Sequence, residues 1–91
     1  MTPRKVKINR DAERELDKLD PQGARRILAF LHGRVALLED PRSIGEALKG
    51  SRLGEFWRYR VGDYRVIARI EDTASVLVLR VGSRDKVYRQ G

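Results

Sequence analysis

The stretch from Phe56 to Ile70 constrains the fold more than any other part of the chain. Two runs of alternating polar and apolar residues meet at Gly62-Asp63. A two-residue connection whose first position can take positive φ selects an antiparallel hairpin. That turn pairs Val61 with Tyr64, Arg60 with Arg65 and Arg58 with Ile67. Because alternate residues point to opposite faces, Trp57, Tyr59, Val61, Tyr64, Val66, Ala68 and Ile70 share one face. Arg58, Arg60, Arg65 and Arg69 share the other. One face is core and the other is cationic.

The hairpin is extended by a third run, Val76 to Val81, after a short connection at Asp72-Thr73-Ala74-Ser75. If Asp72 pairs with Ser75 or these residues form the loop, Leu77, Leu79 and Val81 join the core face and Arg80 joins the basic one, with Arg84 at the same parity. Ile67, Val76 and Val78 then fall on the basic face, which implies apolar cover from a partner helix or the chain's own tail.

Upstream, Lys5 to Ile8 alternates as a strand does. Asn9 or Asp11 can cap a short helix carrying Ala12, Leu16 and Leu19 on one side. Asp20-Pro21 is a second helix start, and Ala24, Ile27, Leu28, Leu31, Val35 and Leu38 keep helical spacing up to Asp40-Pro41. Asp40 to Arg52, with Pro41, Ser43, Gly45 and Gly50, reads as a connecting loop that turns Ile44 and Leu48 inward. The expected fold is α+β in the order β-α-α-β-β-β, a two-helix N-terminal hairpin packed on a small antiparallel sheet.

Ninety-one residues without repeat, linker or low-complexity segment suit one domain spanning 1–91. Apolar residues at 41% and charged residues at 36% suit a folded domain. A chain without cysteine has no disulfide framework and no thiolate metal site. The absence of an apolar run after Met1 argues against a signal peptide or membrane span, so a cytoplasmic address is expected. The acidic residues are scattered without ligand-like clustering, and neither a metal nor a cofactor is expected. His32, the only histidine, falls in the second helix, away from the arginines.

A net charge of +7 and a pI near 10.4 favour an anionic partner without saying which. The arginine face narrows the choice. An antiparallel sheet often leaves one face wet, and arginines there can be plain surface. Like charges directly opposite each other are nevertheless destabilising, and on this reading the face offers only Glu71 to offset Arg60 and Arg65. An anion, and phosphate in particular, is the missing partner.

The motifs Asp40-Pro41-Arg42, Ala47-Leu48-Lys49-Gly50, Phe56 through Ile67, and Val81-Gly82-Ser83-Arg84-Asp85-Lys86-Val87-Tyr88 closely resemble the RelE family of toxin-antitoxin modules. The likeness covers nearly the whole chain, and the order and spacing of the later motifs make it specific. It implies a RelE-like microbial ribonuclease-type fold and a metal-free endoribonuclease that cuts mRNA in the ribosomal decoding site. It also implies neutralisation by a cognate antitoxin, with operator DNA reached only through the antitoxin complex, and no membrane partner. Carried over motif by motif, the active positions are Arg58, Arg60, Arg65, Arg84 and Tyr88. Lys49, Arg52, Arg69 and Arg80 are further candidates for RNA contact.

Cleavage through the RNA's own 2′-hydroxyl needs a base, donors for the charge on phosphorus and an acid for the leaving 5′-oxygen. Arginine fills only the middle role, since its fork clamps phosphate and its proton does not leave at neutral pH. Tyr88 can serve as base only where cations lower its pKa, or else as a stacking platform. The sequence departs from the family where some members have lysines in place of Arg58 and Arg60, and where many have a basic residue in place of Ser83. Glu46 is an alternative base, because one branch of the family has a functional glutamate just before the Leu-Lys pair. Three other functions stay open: a ParE-like toxin acting on DNA gyrase, a branch that generally lacks the late arginine and tyrosine; a non-catalytic RNA-binding module; and a domain whose basic face seats an acidic antitoxin segment.

Overall fold

The computed structural model describes residues 3–48, 56–72 and 74–83. Strand β1 (Lys5–Ile8) leads into helix α1 (Arg10–Lys18) and helix α2 (Pro21–Gly33), and a 3-10 turn follows at Val35–Leu37. Strands β2 (Glu46–Ala47), β3 (Phe56–Val61), β4 (Tyr64–Asp72) and β5 (Ser75–Ser83) complete one five-stranded sheet in the order β1-β5-β4-β3-β2. The α+β class and the order of the expected elements hold, with β2 added.

Both helices start where capping chemistry places them. The Asn9 side chain, not Asp11, accepts the Ala12 N–H at 2.8 Å, and the Asp20 carboxylate accepts the Gly23 N–H at 3.1 Å with Pro21 in the first turn. Ala12 and Leu16 from α1 and Ile27 and Leu31 from α2 meet Tyr59, Val61, Val66, Ala68 and Ile70 in one apolar cluster. The helices thus cover one face of the sheet, and among the described residues no helix covers the arginine face.

Four expectations are corrected. The sheet is mixed rather than antiparallel, because β1 lies parallel to β5 with Val6 beside Val76 and Ile8 beside Val78. Helix α2 stops at Gly33 instead of running to Leu38. Val35 still points inward, but the chain tightens into the 3-10 turn because the buried Arg4 guanidinium takes the Val35 carbonyl at 2.7 Å and the Glu39 carbonyl at 3.0 Å. Within Asp40 to Arg52, Glu46 and Ala47 pair with Arg58 and Trp57, so the stretch read as loop holds an edge strand. Finally, register shifts between Ile70 and Asp72 and between Ile67 and Ala68 move β5 by one residue. Val76 and Val78 therefore fill the core and Leu77 and Leu79 do not, so Leu77 rather than Val76 or Val78 stands beside Arg69 on the basic face.

Tyr59 ties this core to the chain that follows α2. Fully buried, it donates its hydroxyl to the Pro41 carbonyl at 2.6 Å and meets Phe30 edge-on with ring centroids 5.7 Å apart. Burial pushes its phenol up to about 12. Tyr59→Phe strands the buried Pro41 carbonyl and should cost about 1–3 kcal/mol, read as a lower urea midpoint with an unchanged slope.

Candidate nucleic-acid interface

The turn behind the interface has the geometry its sequence demands. Gly62 has φ +59° and, among the described residues, no non-glycine residue has positive φ, which is the pattern of a type II′ turn. The register follows as expected: Arg58 opposite Ile67, Arg60 opposite Arg65, Val61 opposite Tyr64. The hairpin is anchored from the helical side, since the Tyr64 hydroxyl donates to the Asp20 carboxylate at 2.8 Å. A Cβ on Gly23 would overlap that hydroxyl, so the close approach of β4 to the start of α2 requires glycine there.

Three rungs cross the exposed face. Glu46, Arg58, Ile67 and Arg80 form one; Arg60, Arg65 and Gly82 the next; Phe56, Arg69, Leu77 and Lys7 the third. The arginines on them differ in setting. Arg60 is exposed over 63% of its side chain, whereas Arg65 as a residue is 9% exposed. The Arg65 guanidinium donates to the carbonyls of Tyr64 at 2.9 Å and Gly62 at 3.3 Å, and among the described residues it meets no carboxylate. Arg69 lies 3.7 Å from Glu71, which Lys7 contacts at 2.7 Å, and the Lys7 contact holds the Glu71 carboxyl below its ordinary range.

Glu46 supplies a second carboxylate that the loop reading of its segment hid. It reaches Arg58 at 2.9 Å and Arg60 at 3.4 Å from the edge strand. Beside it lies a recess of about 250 Å³ lined by Phe30, Arg34, Ile44, Gly45, Tyr59 and Arg60. Gly45, at φ +82°, lets β2 turn in against β3, and the Trp57 indole secures it by donating to the Ile44 carbonyl at 2.7 Å.

Arg80 belongs to the first rung but is drawn to α1. Its Nε and Nη2 donate to the two Glu15 oxygens at 3.1 and 2.9 Å, and the Val81 N–H donates to the same carboxylate at 2.9 Å. The structure therefore brings Arg58, Arg60, Arg65 and Arg69 together on one face and seats Arg80 toward the opposite edge. Arg84, Tyr88, Lys49 and Arg52 lie outside the described residues. Of the described tyrosines, Tyr59 is raised by burial and Tyr64 by its hydrogen bond to Asp20, so neither suits the role of base. His32 is exposed on α2, and no group of three metal-ligating side chains occurs among the described residues.

A family model described as the ParE toxin of type II toxin-antitoxin systems matches residues 6–88. The chain belongs to that family, within the RelE/ParE superfamily. It is 33% identical to Toxin RelG of Mycobacterium tuberculosis over 97% of this chain and 99% of that protein. Among solved structures it resembles the RelBE2 toxin-antitoxin complex of the same organism, at TM-score 0.78 and 32% identity, covering 92% of this chain and 94% of that one. It also resembles the archaeal RelE-RelB complex from Pyrococcus horikoshii, at TM-score 0.65 and 28% identity, covering 92% and 97%. The protein is a toxin of a type II toxin-antitoxin system.

The Glu15 anchor gives a pH signature. Burial acts to raise its carboxyl, but the Arg80 hydrogen bond, the Val81 N–H and the nearby cations outweigh it and hold the group below its ordinary value. A carboxyl held low in the fold contributes stability above the unfolded pKa that is lost as pH falls through the folded one. Glu15→Gln should therefore cost about 1–3 kcal/mol at neutral pH, with the deficit against wild type shrinking below the carboxylate range in urea titrations.

Proposed function

We propose that this toxin is a ribosome-dependent mRNA endoribonuclease, working in the cytoplasm and silenced by a cognate antitoxin. One observation carries the reading: Arg65, nearly buried and fixed by two turn carbonyls, stands directly opposite exposed Arg60 with no carboxylate of its own among the described residues. A guanidinium so held does not have to be ordered when its ligand arrives, and its remaining donors match a phosphodiester. Resemblance to a curated RelE-type toxin over nearly the full length supports the same reading.

In this mechanism Arg65 and Arg84 stabilise the charge that gathers on the scissile phosphate, while Arg58 and Arg60 hold the backbone beside it. The RNA's own 2′-hydroxyl attacks phosphorus, so the chain is cut to a 2′,3′-cyclic phosphate and a 5′-hydroxyl, and no metal is needed to supply a nucleophile. The proton transfers fall to Tyr88 or Glu46, or to groups the ribosome contributes. The antitoxin silences the toxin by laying an acidic segment on the same face, and operator DNA is reached through that complex alone.

Cleavage mapped on mRNA in a reconstituted translation system tests this. Wild type should cut at the decoding site, while Arg65→Ala and Arg84→Ala should each lose about 10²–10³-fold, the scale for removing one transition-state donor. Intact mRNA with wild-type protein overturns the nuclease reading. The matched model is described by the name ParE, so the second reading is a gyrase-directed toxin, and loss of supercoiling activity with intact mRNA would establish it.

A further inference from the structure

Glu46 sits where a substrate phosphate is proposed to sit. Its register partner is Arg58, so its side chain rises on the arginine face, and its two oxygens reach two different guanidiniums, Arg58 Nη2 at 2.9 Å and Arg60 Nη2 at 3.4 Å. A carboxylate that bridges two arginines presents two oxygens to two forks much as a phosphodiester presents its two non-bridging oxygens. We infer that Glu46 is a displaceable internal anion: it holds Arg58 and Arg60 in their binding posture while the face is empty, and RNA backbone must dislodge it. This rests on the phosphate-binding reading of the face and adds a positioning and gating residue to it.

Three features make the displacement feasible. Glu46 is 55% exposed along its side chain, and exposed ion pairs contribute little, so the latch is weak by construction. It rides on a strand of only two residues at the edge of the sheet. The recess alongside it is lined by Arg34, Ile44 and Gly45, and so puts a third cation, Arg34, in the same wall as the released carboxylate. The latch also explains how the Arg58 and Arg60 side chains share one strand face without an external anion.

A binding measurement separates this from catalysis. The probe is a short fluorescein-labelled RNA with its 2′-hydroxyls methylated, so that it cannot be cut through them, titrated by anisotropy at several salt concentrations. Glu46→Gln should bind about 3- to 10-fold more tightly than wild type, the scale expected from lifting two partly exposed ion pairs. Its logarithmic salt slope should steepen by about 0.7, since one more cation now sheds counterions to a single strand. Glu13→Gln on α1 makes the same change in net charge away from this face and should leave the affinity near wild type. Equal affinities for wild type and Glu46→Gln, including equal failure to bind, overturn the proposal, as does a gain that Glu13→Gln reproduces. Wild-type protein that leaves mRNA intact on ribosomes removes the nuclease reading without touching this result, because the titration reads binding alone.

Discussion

The two-residue Gly62-Asp63 turn is the constraint on which the rest of the molecule depends. With Gly62 taking the positive φ of the turn, β3 and β4 meet in a single register, and that register decides which of their side chains meet the helices. A slip of one residue would send Tyr59, Val61 and Val66 into water and bring Arg60 and Arg65 against Ile27 and Leu31. Burying those cations unpaired would cost far more than a turn can supply. Turn chemistry and core burial therefore enforce the same pairing, and the juxtaposition of Arg60 with Arg65 follows from how the core is made.

The parts of the fold legible in the sequence are those where a local signal and burial agree. The hairpin register, the cap at Asp20-Pro21 and the division of β3 and β4 into apolar and cationic faces are all of this kind. What escaped depends on contacts between distant segments. A four-residue strand such as β1 carries no mark of its neighbour, so its parallel seat beside β5 could not be read. Two residues are too few for β2 to show alternation. The bulges leave composition untouched while putting Val76 and Val78 at the core in place of Leu77 and Leu79. Helix α2 ends early because Arg4, from the other side of the chain, claims the carbonyls beyond it.

The candidate site was legible as a set of like charges and illegible as a set of environments. Parity alone gathers Arg58, Arg60, Arg65, Arg69 and Arg80, yet their partners differ: Arg58 and Arg60 share one carboxylate, and the other three each meet groups of their own. Glu46 comes from an edge strand, Glu71 from a bulge, and Glu15 from a helix far away in sequence. The two backbone carbonyls around Arg65 come from its own turn. Register dictates which cations gather, and tertiary carboxylates then decide which of them are already neutralised.

That division of partners sharpens what the face can do chemically. Guanidiniums stabilise negative charge and do not exchange protons at neutral pH, and the two described tyrosines are both shifted away from acting as bases. Among the described residues of the face, Glu46 and Glu71 are then the groups able to accept a proton, and each is engaged by two cations. On the nuclease reading, such a surface is built to bind and polarise a phosphodiester rather than to move its protons. It would cut slowly in isolation and depend on geometry supplied when the RNA is held elsewhere. Restricting cleavage to RNA already threaded through a ribosome is a natural use for a face of this composition, since positioning and proton transfer are the contributions arginine does not make.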